Sequence, residues 1–441
     1  MTSNRVNRRF INPISKVLQD TKRNMVIKLQ ECGLNNCTLP VMVSNNSMML
    51  RGLSLNVDPT YKKKIPLIFN IFTIVILSCY IYVYVFSMIW FVFFKCIKTG
   101  DVISAMIVFA LGIASEITLV KWIYMFLNQN SLRNLIENYL IHDVKGNSNA
   151  RLTNNLLKVL RQVKRRAIIF WFMIIGNGVA YAIKPLLMPG RHIMEDTEFL
   201  FGLEPLHESP NYEIAYLLSL GGVIFTCYGT SNLSGFFIII TGYIEGQMLC
   251  LSEELVNIWD DAHKYYYQNH VFTENCHRVA SDETIRGKDI ILNEYVRKQL
   301  RNIIDYHTTN MSFLRQIEDV FRNAIAIEFG LLIVSLIAEF LGGLENTYLI
   351  MPFALVQVTM DCITGQKLLD SSDIFHRAVY ECNWENFDVK NMKTVLMMFR
   401  ISHKGMALSA GGLVKLSFLC LMSVARLIYS TYTALRTAVD H

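Results

Sequence analysis

Two long runs of the sequence contain no charged residue, and no other feature limits the fold as strongly. They cover residues 65–94 and 214–244, which are 30 and 31 residues long. About 20 apolar residues are enough for a helix to cross the hydrocarbon core of a bilayer, so each run is long enough to span a membrane. A shorter uncharged run at 167–183 follows the basic triplet 164–166 and predicts a third span.

Four further segments are apolar enough to span a membrane but carry charges: 102–127, 324–344, 346–369 and 405–436. A charge at membrane depth usually faces protein or a water-filled cavity rather than lipid. The last segment has 32 residues, and at about 1.5 Å per residue it is longer than a bilayer core. We therefore expect only its second part to span, and the sequence predicts an all-α polytopic membrane protein with seven transmembrane helices.

The composition agrees with a membrane protein. Hydrophobic residues make up 52% of the chain and charged residues 18%, whereas about a quarter of a soluble domain is charged. The ten cysteines are scattered without a C-x-x-C pair, and His263, His270 and His277 have no carboxylate or cysteine set at ligand spacing. No catalytic or nucleotide-binding motif is present. We expect no metal, no other cofactor, no enzymatic activity and no nucleic-acid partner, and a surface in contact with membrane lipids.

The charges of the loops orient the predicted spans. Before the first span there are eleven Lys and Arg against three acids, and residues 133–166 hold eight against two. The connection after the third span has two basic and six acidic residues. Because basic loops stay in the cytoplasm, the N-terminus is predicted inside and, with seven spans, the C-terminus outside.

These spans and loops predict the following order of segments. They are a cytosolic N-terminal segment (1–64), transmembrane helices one to four (65–244), a cytosolic helical anchor region (245–323), transmembrane helices five and six (324–369), a cytosolic loop with an anchor helix (370–404), and a long last helix (405–441). The anchor region should continue the fourth helix and then form an amphipathic helix over 291–317. Such helices expose apolar stripes unless they pack on one another or on neighbouring subunits.

Polar residues recur on one face of the last predicted helix. Ser423, Arg426, Ser430, Thr433 and Thr437 are spaced 3, 4, 3 and 4 residues apart, so they share a narrow stripe. Such a stripe indicates a water-lined path, because lipid would leave each hydroxyl unsatisfied. The alternative is that the hydroxyls bond to their own helix or hold helices together. The sequence leaves both interpretations open, and the arginine slightly favours the first because it needs water or an acid.

Aromatic and small residues gather in the outer halves of several predicted spans, where we expect a ligand pocket. Such pockets are concave and largely apolar or aromatic, with few polar groups. The alternative for each tyrosine is the belt that this residue forms at membrane interfaces. The predicted ligand-binding residues are Phe109, Gly178, Tyr181, Tyr212, Tyr216 and Tyr348, with Phe353, Ala105, Ala182 and Ser219 beside them.

Short motifs in the C-terminal third occur in an order that resembles the insect odorant receptor family. They are YECNW (380–384), RISHK (400–404), AGG (410–412), LS (416–417) and the closing STYTALR (430–436), preceded by His307, Leu314, Glu318 and Phe321. The resemblance covers roughly residues 290 to 436 by motif, and the whole chain by length and topology. Thr431 and Ala434 depart from the family pattern, which usually has Tyr and Leu there.

The resemblance implies a subunit of an odorant-gated, non-selective cation channel in the plasma membrane of an olfactory neuron. Such receptors assemble as tetramers, and a tuning subunit like this one forms a hetero-oligomer with co-receptor subunits. The ligand would be small, volatile and hydrophobic, and the chain's length and character resemble those of a moth pheromone receptor.

The last helix would line the pore of this channel, with Ala434 or Leu435 at the closed constriction. Arg426 would border a wide part of the pore, be diluted by co-receptor subunits, or pair with an acid such as Glu339. The predicted pore-lining residues are Ser423, Arg426, Ser430, Thr433, Ala434, Leu435 and Thr437.

Two other classes of membrane protein agree less well with the sequence. A G-protein-coupled receptor has an external N-terminus and usually an outer disulfide, yet only Cys96 lies near the predicted outer face. A secondary transporter is expected to show repeat symmetry and paired helices broken by Gly or Pro, and the sequence shows neither.

Overall fold

A computed structural model of the chain describes residues 33–34, 36–146, 150–194, 197–270 and 282–439. Most of these residues are helical. In chain order the helices are α1 (Leu39–Leu50), α2 (Leu67–Thr99), α3 (Val102–Leu127), α4 (Gln129–Gly146), α5 (Ala150–Leu187), α6 (Asn211–Val256), α7 (Ile258–His270), α8 (Asp282–Gly342), α9 (Leu344–Thr347), α10 (Met351–Tyr380), α11 (Val389–Ser402) and α12 (Phe418–Val439). Single 3₁₀ turns cover Arg51–Leu53 and Trp384–Asn386, and α2 widens into π-helix at Ile81–Ser87 and Phe91–Lys95.

Six of these helices are long and apolar enough to cross a membrane: α2, α3, α5, α6, α8 and α12. The first of them exposes a nearly continuous apolar surface, including Leu67, Ile71, Ile74 and Ile97, as a lipid-facing helix should. Most of the seventh predicted span, 346–369, lies on α10, which starts at Met351, has 30 residues and is more polar. Helix α10 packs against α6 inside the bundle, and its polar side chains Gln357 and Asp361 are buried there against protein.

The helix α6 lies at the centre of the bundle and packs against α2, α3, α5, α8 and α10. Every residue from 229 to 248 on this helix is buried. Small residues allow the close approach: a side chain at Gly229 would place its Cβ 2.4 Å from Thr118 Cγ2 on α3. The fold is therefore organised around α6, which contacts four of the other five candidate membrane helices and α10.

The predicted amphipathic helix and the predicted fifth span form one continuous helix, the 61-residue α8. Residues 288–329 contain no proline or glycine, so nothing in the backbone interrupts the helix between its polar and apolar parts. It ends at Gly342, and Gly343 turns the chain with φ of +90°.

The structure differs from the sequence prediction over 405–441, where we expected one long helix. Residues 405–417 instead form a turn and a two-stranded antiparallel hairpin, with β1 (Ser409–Ala410) paired to β2 (Val414–Lys415). Gly405, Gly411 and Gly412 have positive φ values that a helix does not allow. The last helix therefore begins only at Phe418.

Three connections meet at one end of the bundle. Lys95 near the end of α2 forms ion pairs with Glu204 at 2.8 Å and Glu198 at 3.6 Å, on the segment between α5 and α6. Gly342, at the end of α8, lies close to the first turns of α3. A Cβ added to it would be 2.9 Å from Ile107 Cγ1. We refer to this end of the bundle as the Lys95 end.

Candidate functional site

A cavity opens between α2, α3, α5, α6 and the start of α10, towards the Lys95 end of the bundle. Its empty space, counted together with the mouth that opens to solvent, is about 410 Å³. Its lining is mostly apolar. The lining residues are Tyr84, Leu111, Ala114, Ser115, Asn177, Gly178, Tyr181, Val223, Thr226, Cys227, Leu349, Ile350 and Phe353.

Helical spacing brings these residues to one place. On α3 the lining residues 111, 114 and 115 are three and four positions apart, and 223, 226 and 227 repeat that spacing on α6. Residues at this spacing lie on one helix face. The cavity is thus the place where the faces of several helices converge, with small residues leaving the space.

Few polar atoms face the cavity, and two of them are engaged within the protein. Asn177 donates from Nδ2 to the carbonyl of Leu349 at 2.9 Å, which ties α5 to the segment before α10. Ser115 donates from Oγ to the carbonyl of Gly112 at 2.7 Å on its own helix. The cavity can therefore hold an apolar molecule without leaving these groups unsatisfied.

The structure brings two of the predicted ligand-binding residues, Gly178 and Tyr181, to the wall of this cavity, together with Phe353. Gly178 lies against α6: a Cβ there would approach Cys227 Sγ to 2.6 Å. The ring of Tyr181 is buried. These residues therefore narrow the cavity and limit the shape of its contents.

The other four predicted residues do not line the cavity. Tyr216 donates its hydroxyl to the carbonyl of Ala182 at 3.0 Å, and Phe109 packs against the hydrophobic core. The rings of Tyr212 and Tyr348 each lie beneath a basic side chain. Arg191 lies 5.8 Å from the ring centre of Tyr212, and Lys184 Nζ lies 5.4 Å from that of Tyr348. The reason is helix rotation, since neighbouring residues on one helix point in different directions.

Sequence reasoning missed most of the cavity wall, including Tyr84, Leu111, Thr226 and Cys227. The predicted pocket residues were mostly aromatic, whereas the wall is built largely from small and aliphatic residues. The spacing of three and four positions on two neighbouring spans was the available signal. It could indicate which residues share a face, but not which face turns inward.

A buried ionic cluster lies in the same bundle. Lys121 Nζ on α3 forms ion pairs with Glu328 Oε1 at 2.7 Å and Asp361 Oδ2 at 3.6 Å, and it donates to Ser234 Oγ at 2.9 Å. Gln357 donates from Nε2 to Glu328 at 2.7 Å and to Asp361 at 3.2 Å. The cluster thus joins α3, α6, α8 and α10, and it accounts for charges that interrupt three predicted spans.

The predicted polar stripe lies on a part of α12 that the rest of the chain does not cover. Buried Cys420, Val424 and Ile428 form the side of α12 that packs against the bundle, and α8 and α10 are its neighbours. Six of the seven predicted pore-lining residues are exposed and one is partly buried. The exposed ones are Ser423, Arg426, Ser430, Ala434, Leu435 and Thr437, and Thr433 is the partly buried one.

The hydroxyls of this stripe bond back to their own helix. Ser423 donates to the carbonyl of Leu419 at 2.8 Å, Thr433 to that of Ser430 at 2.9 Å, and Thr437 to that of Thr433 at 2.8 Å. These three hydroxyls are therefore satisfied within the single chain. The pairing considered between Arg426 and Glu339 is not formed, because Glu339 is buried and accepts from Ser335 at 2.9 Å.

The three histidines do not form a metal site in the part of the chain that the structure describes. His263 packs on Trp259 with ring centres 5.0 Å apart. His270 is the last residue of α7, and His277 lies outside the described residues. Across those described ranges, no group of three His, Cys, Asp or Glu residues is arranged to hold a metal ion.

Comparison with known proteins gives the family of sequences that this chain resembles. A family profile described as "7tm Odorant receptor" matches residues 99–429. Odorant receptor 22c of Drosophila melanogaster is 21% identical over 331 residues, which cover 70% of this chain and 76% of that receptor. Odorant receptor 30a of the same fly is 30% identical over 157 residues, covering 35% of this chain and 40% of that receptor.

The same fold occurs among solved structures. The insect olfactory receptor OR5 from Machilis hrabei superimposes with a TM-score of 0.69 at 13% identity, covering 89% of this chain and 97% of that one. A structure of the same receptor in complex with eugenol gives a TM-score of 0.69 and covers 90% of this chain. At this identity the likeness concerns the fold alone.

Proposed function

Because this chain belongs to the insect odorant receptor family, we propose that it is the tuning subunit of an odorant-gated, non-selective cation channel. It is a multi-pass membrane protein and not an enzyme. We place it in the plasma membrane of an olfactory neuron, where a small volatile hydrophobic molecule opens it. A pheromone of a moth is one such molecule.

The observation that carries this proposal is the apolar cavity at the Lys95 end of the bundle. It is lined by parts of five helices and has few polar groups. A volatile apolar molecule gains its binding energy from burial of apolar area, at about 25 cal/mol per Å². Tyr181 and Phe353 add aromatic walls that offer large contact areas at low entropy cost.

The charges of the loops support an orientation in which the Lys95 end faces outside. Acidic residues, among them Glu198 and Glu204, dominate the segment between α5 and α6 at this end. Basic residues dominate the opposite side, for example Lys62–Lys64 and residues 161–166. The cavity would then open towards the side from which odorants arrive. An N-terminal epitope that an antibody labels on intact cells would contradict this orientation.

The exposed face of α12 supports a pore between subunits. A single chain leaves most of this helix uncovered. Its polar stripe is exposed rather than packed against other described residues. Around a central axis, copies of α12 would line a path with hydroxyl groups, while Ala434 or Leu435 would form an apolar constriction that closes by dewetting. Because Arg426 is exposed and forms no ion pair with the described residues, it would border a wide, hydrated part of this path.

The opposite end of the chain supports assembly with other subunits, the co-receptor among them. Helix α11 exposes apolar side chains that a monomer would leave in water: Val389, Leu396, Met397 and Ile401. Exposed apolar patches of this kind mark protein–protein contacts. We propose that they pack against neighbouring subunits of a heterotetramer.

Helix α10 offers a direct mechanical route from the cavity to the pore helix. Phe353, near its start, lines the cavity, and one turn further Gln357 enters the buried ionic cluster. Gly365 then packs so closely on the hairpin that an added Cβ would lie 2.3 Å from Leu416 Cβ. We propose that a ligand which displaces the start of α10 moves the base of α12 through this rigid helix.

Whole-cell recording tests this function. Cells that express the chain with an insect odorant co-receptor should give cation currents to a panel of volatile apolar compounds, and cells that express the chain alone should give little current. Tyr181→Ala should shift the dose–response curve at unchanged surface expression, whereas Tyr348→Ala, at an exposed residue of the same end, should not. Currents that need G-protein activation would contradict the proposal, as would robust currents without any co-receptor.

A further inference from the structure

Five basic side chains gather around Tyr61, in the segment that leads into α2. Three of them, Lys62–Lys64, follow it directly in the chain and are exposed. The guanidinium carbon of Arg51 lies 4.1 Å from the centre of the Tyr61 ring, and Arg133 on α4 donates from Nη2 to the Tyr61 carbonyl at 3.4 Å. We refer to these five basic residues as the Tyr61 basic cluster.

The positive charge of this cluster is not balanced within the chain. None of its members forms an ion pair with the residues that the structure describes. Asp58, the acid of this segment, is buried and accepts from the backbone N–H and the hydroxyl of Thr60, at 2.8 and 2.6 Å. Lys95 at the other end of the bundle is, in contrast, paired with acids. Because like charges at short range repel one another, an anionic partner would stabilise the cluster.

The backbone that carries the lysines is held in place by side chains. Asn56 donates from Nδ2 to the Tyr61 carbonyl at 3.3 Å, and Arg133 donates to the Pro59 carbonyl at 3.3 Å. Gln129, the first residue of α4, donates from Nε2 to the carbonyl of Asn56 at 3.1 Å. The segment is thus fixed to the start of α4, so a partner of the cluster would not have to order it on binding.

The cluster lies where α2 enters the lipid. Leu67, the first residue of α2, is 73% exposed and Ile68 is 71% exposed, as expected of side chains that face acyl chains. Lys64 precedes Leu67 by three residues, which span at most about 11 Å. The headgroup region on each side of a bilayer is about 5–8 Å deep, and lysine side chains extend their amino groups towards it. The lysines therefore reach the level of the lipid phosphates.

We propose that the Tyr61 basic cluster binds an anionic phospholipid whose headgroup carries more than one phosphate, such as a phosphorylated phosphatidylinositol. In the orientation given above, this lipid belongs to the cytoplasmic leaflet. Roughly four to eight Lys and Arg directly cytoplasmic of a membrane helix are typical of binding to such lipids. The amino groups contact the phosphates, and the acyl chains lie along the exposed face of α2 that includes Leu67, Ile71 and Ile74. A soluble phosphate compound offers the same charges but gains nothing from this apolar face.

Binding of a fluorescent short-chain phosphatidylinositol bisphosphate to the detergent-solubilised full-length chain tests the site, with fluorescence anisotropy as the readout. The unlabelled competitors are the same lipid, a phosphatidylcholine of equal chain length, and inositol trisphosphate, which is the soluble headgroup. We expect the phosphoinositide to displace the probe at a lower concentration than inositol trisphosphate does, and phosphatidylcholine not to displace it.

Matched variants locate the site. Replacing each of Lys62–Lys64 by Gln should weaken binding about 100-fold, because each basic residue near a membrane surface is worth about fivefold in affinity. Replacing the same three by Arg should keep binding close to the parent. Arg51→Gln leaves the lysines that flank α2 in place and should weaken binding about fivefold.

The control variant removes the same charge from exposed positions elsewhere: Lys298→Gln, Arg301→Gln and Lys390→Gln. Lys298 lies about 65 Å along α8 from the end of that helix at Gly342, which is more than the thickness of a bilayer. This variant should bind the probe like the parent. Thermal unfolding without lipid shows whether each variant is folded, and if the triple Gln variant is not, Arg51→Gln decides.

Three results would overturn the inference: no saturable binding to the parent, equal weakening in the control variant, or inositol trisphosphate as potent as the lipid. The last would indicate a site for soluble phosphates. Each would leave the proposed function intact, because binding is measured without an odorant and without current.

Discussion

The side chain of Gln366 on α10 accepts a hydrogen bond from the backbone N–H of Phe418, the first residue of α12, at 3.1 Å. The first N–H groups of a helix have no partner within the helix, so this glutamine satisfies one of them from a neighbouring helix. The helix that lines the candidate cavity at its start, with Phe353, thus holds the first residue of the proposed pore helix from its middle.

Gln366→Ala should weaken the transmission from the cavity to the pore. Loss of a side-chain acceptor at a helix N-terminus costs about 1 kcal/mol, and the base of α12 would no longer follow α10. We expect a lower maximal current with little change in the half-maximal ligand concentration. Gln316→Ala is the control, because Gln316 is half-exposed and its recorded hydrogen bonds among the described residues go to Ser312 within α8. A pure shift in ligand sensitivity at full maximal current would contradict this role.

Lys121→Met should destabilise the bundle strongly. It leaves Glu328 and Asp361 buried without their cation, and breaking a buried ion pair on one side costs about 3–5 kcal/mol. Thermal unfolding of the detergent-solubilised protein measures the loss. The exposed Lys158→Met on α5 should have a small effect.

The same cluster allows a rescue. Combining Lys121→Met with Glu328→Gln and Asp361→Asn removes the orphaned charges, so most of the thermal stability should return. If the triple variant is as unstable as the single one, loss of packing rather than loss of charge balance explains the effect.

Gly178→Ala should reduce sensitivity to bulky ligands more than to small ones. The added Cβ would approach Cys227 Sγ to 2.6 Å, so α5 and α6 must separate or the cavity must narrow. Gly176→Ala on the same helix is the control, because nothing lies within 4 Å of its added Cβ. Adding Cys227→Ala to the first variant should restore the response, and a lack of rescue would show that the clash is not the cause.

Asp101→Ala should destabilise the start of α3 by about 1 kcal/mol. Asp101 Oδ1 accepts from the backbone N–H of Ser104 at 3.1 Å, and hydrogen bonds from Ser104 lower the pKa of this carboxyl below its ordinary value. A lowered pKa means that the stabilisation is present above the unfolded-state pKa and is lost as pH falls through the folded-state pKa.

The pH dependence of thermal unfolding checks this assignment. The parent protein should lose the contribution of Asp101 only below about pH 4, and Asp101→Asn should retain the cap at all pH values. Asp289→Ala, at an exposed acid on α8, should leave the stability unchanged. Equal stability of the alanine and asparagine variants at neutral pH would contradict the cap.

The sequence by itself located six helices that are long and apolar enough to cross a membrane, and it indicated the family. Apolar composition over some 20 residues decides whether a segment enters a bilayer, and that is a local property. The predicted second span, 102–127, coincides with α3 because Asp101 caps its start and no glycine or proline turn interrupts it. The short motifs of the C-terminal third indicated the family for the same reason, since they are contiguous in the chain.

Only the tertiary structure decided which residues share the cavity and which charges are paired. Tyr181 and Tyr216 were equally plausible from the sequence, but the rotation of their helices places the first at the cavity wall and turns the hydroxyl of the second to the backbone of Ala182. Lys121 forms ion pairs with Glu328 and Asp361, although each of these acids lies more than 200 positions after it in the chain. These outcomes depend on how helices rotate and pack against one another, which hydrophobic periodicity constrains only to a broad face.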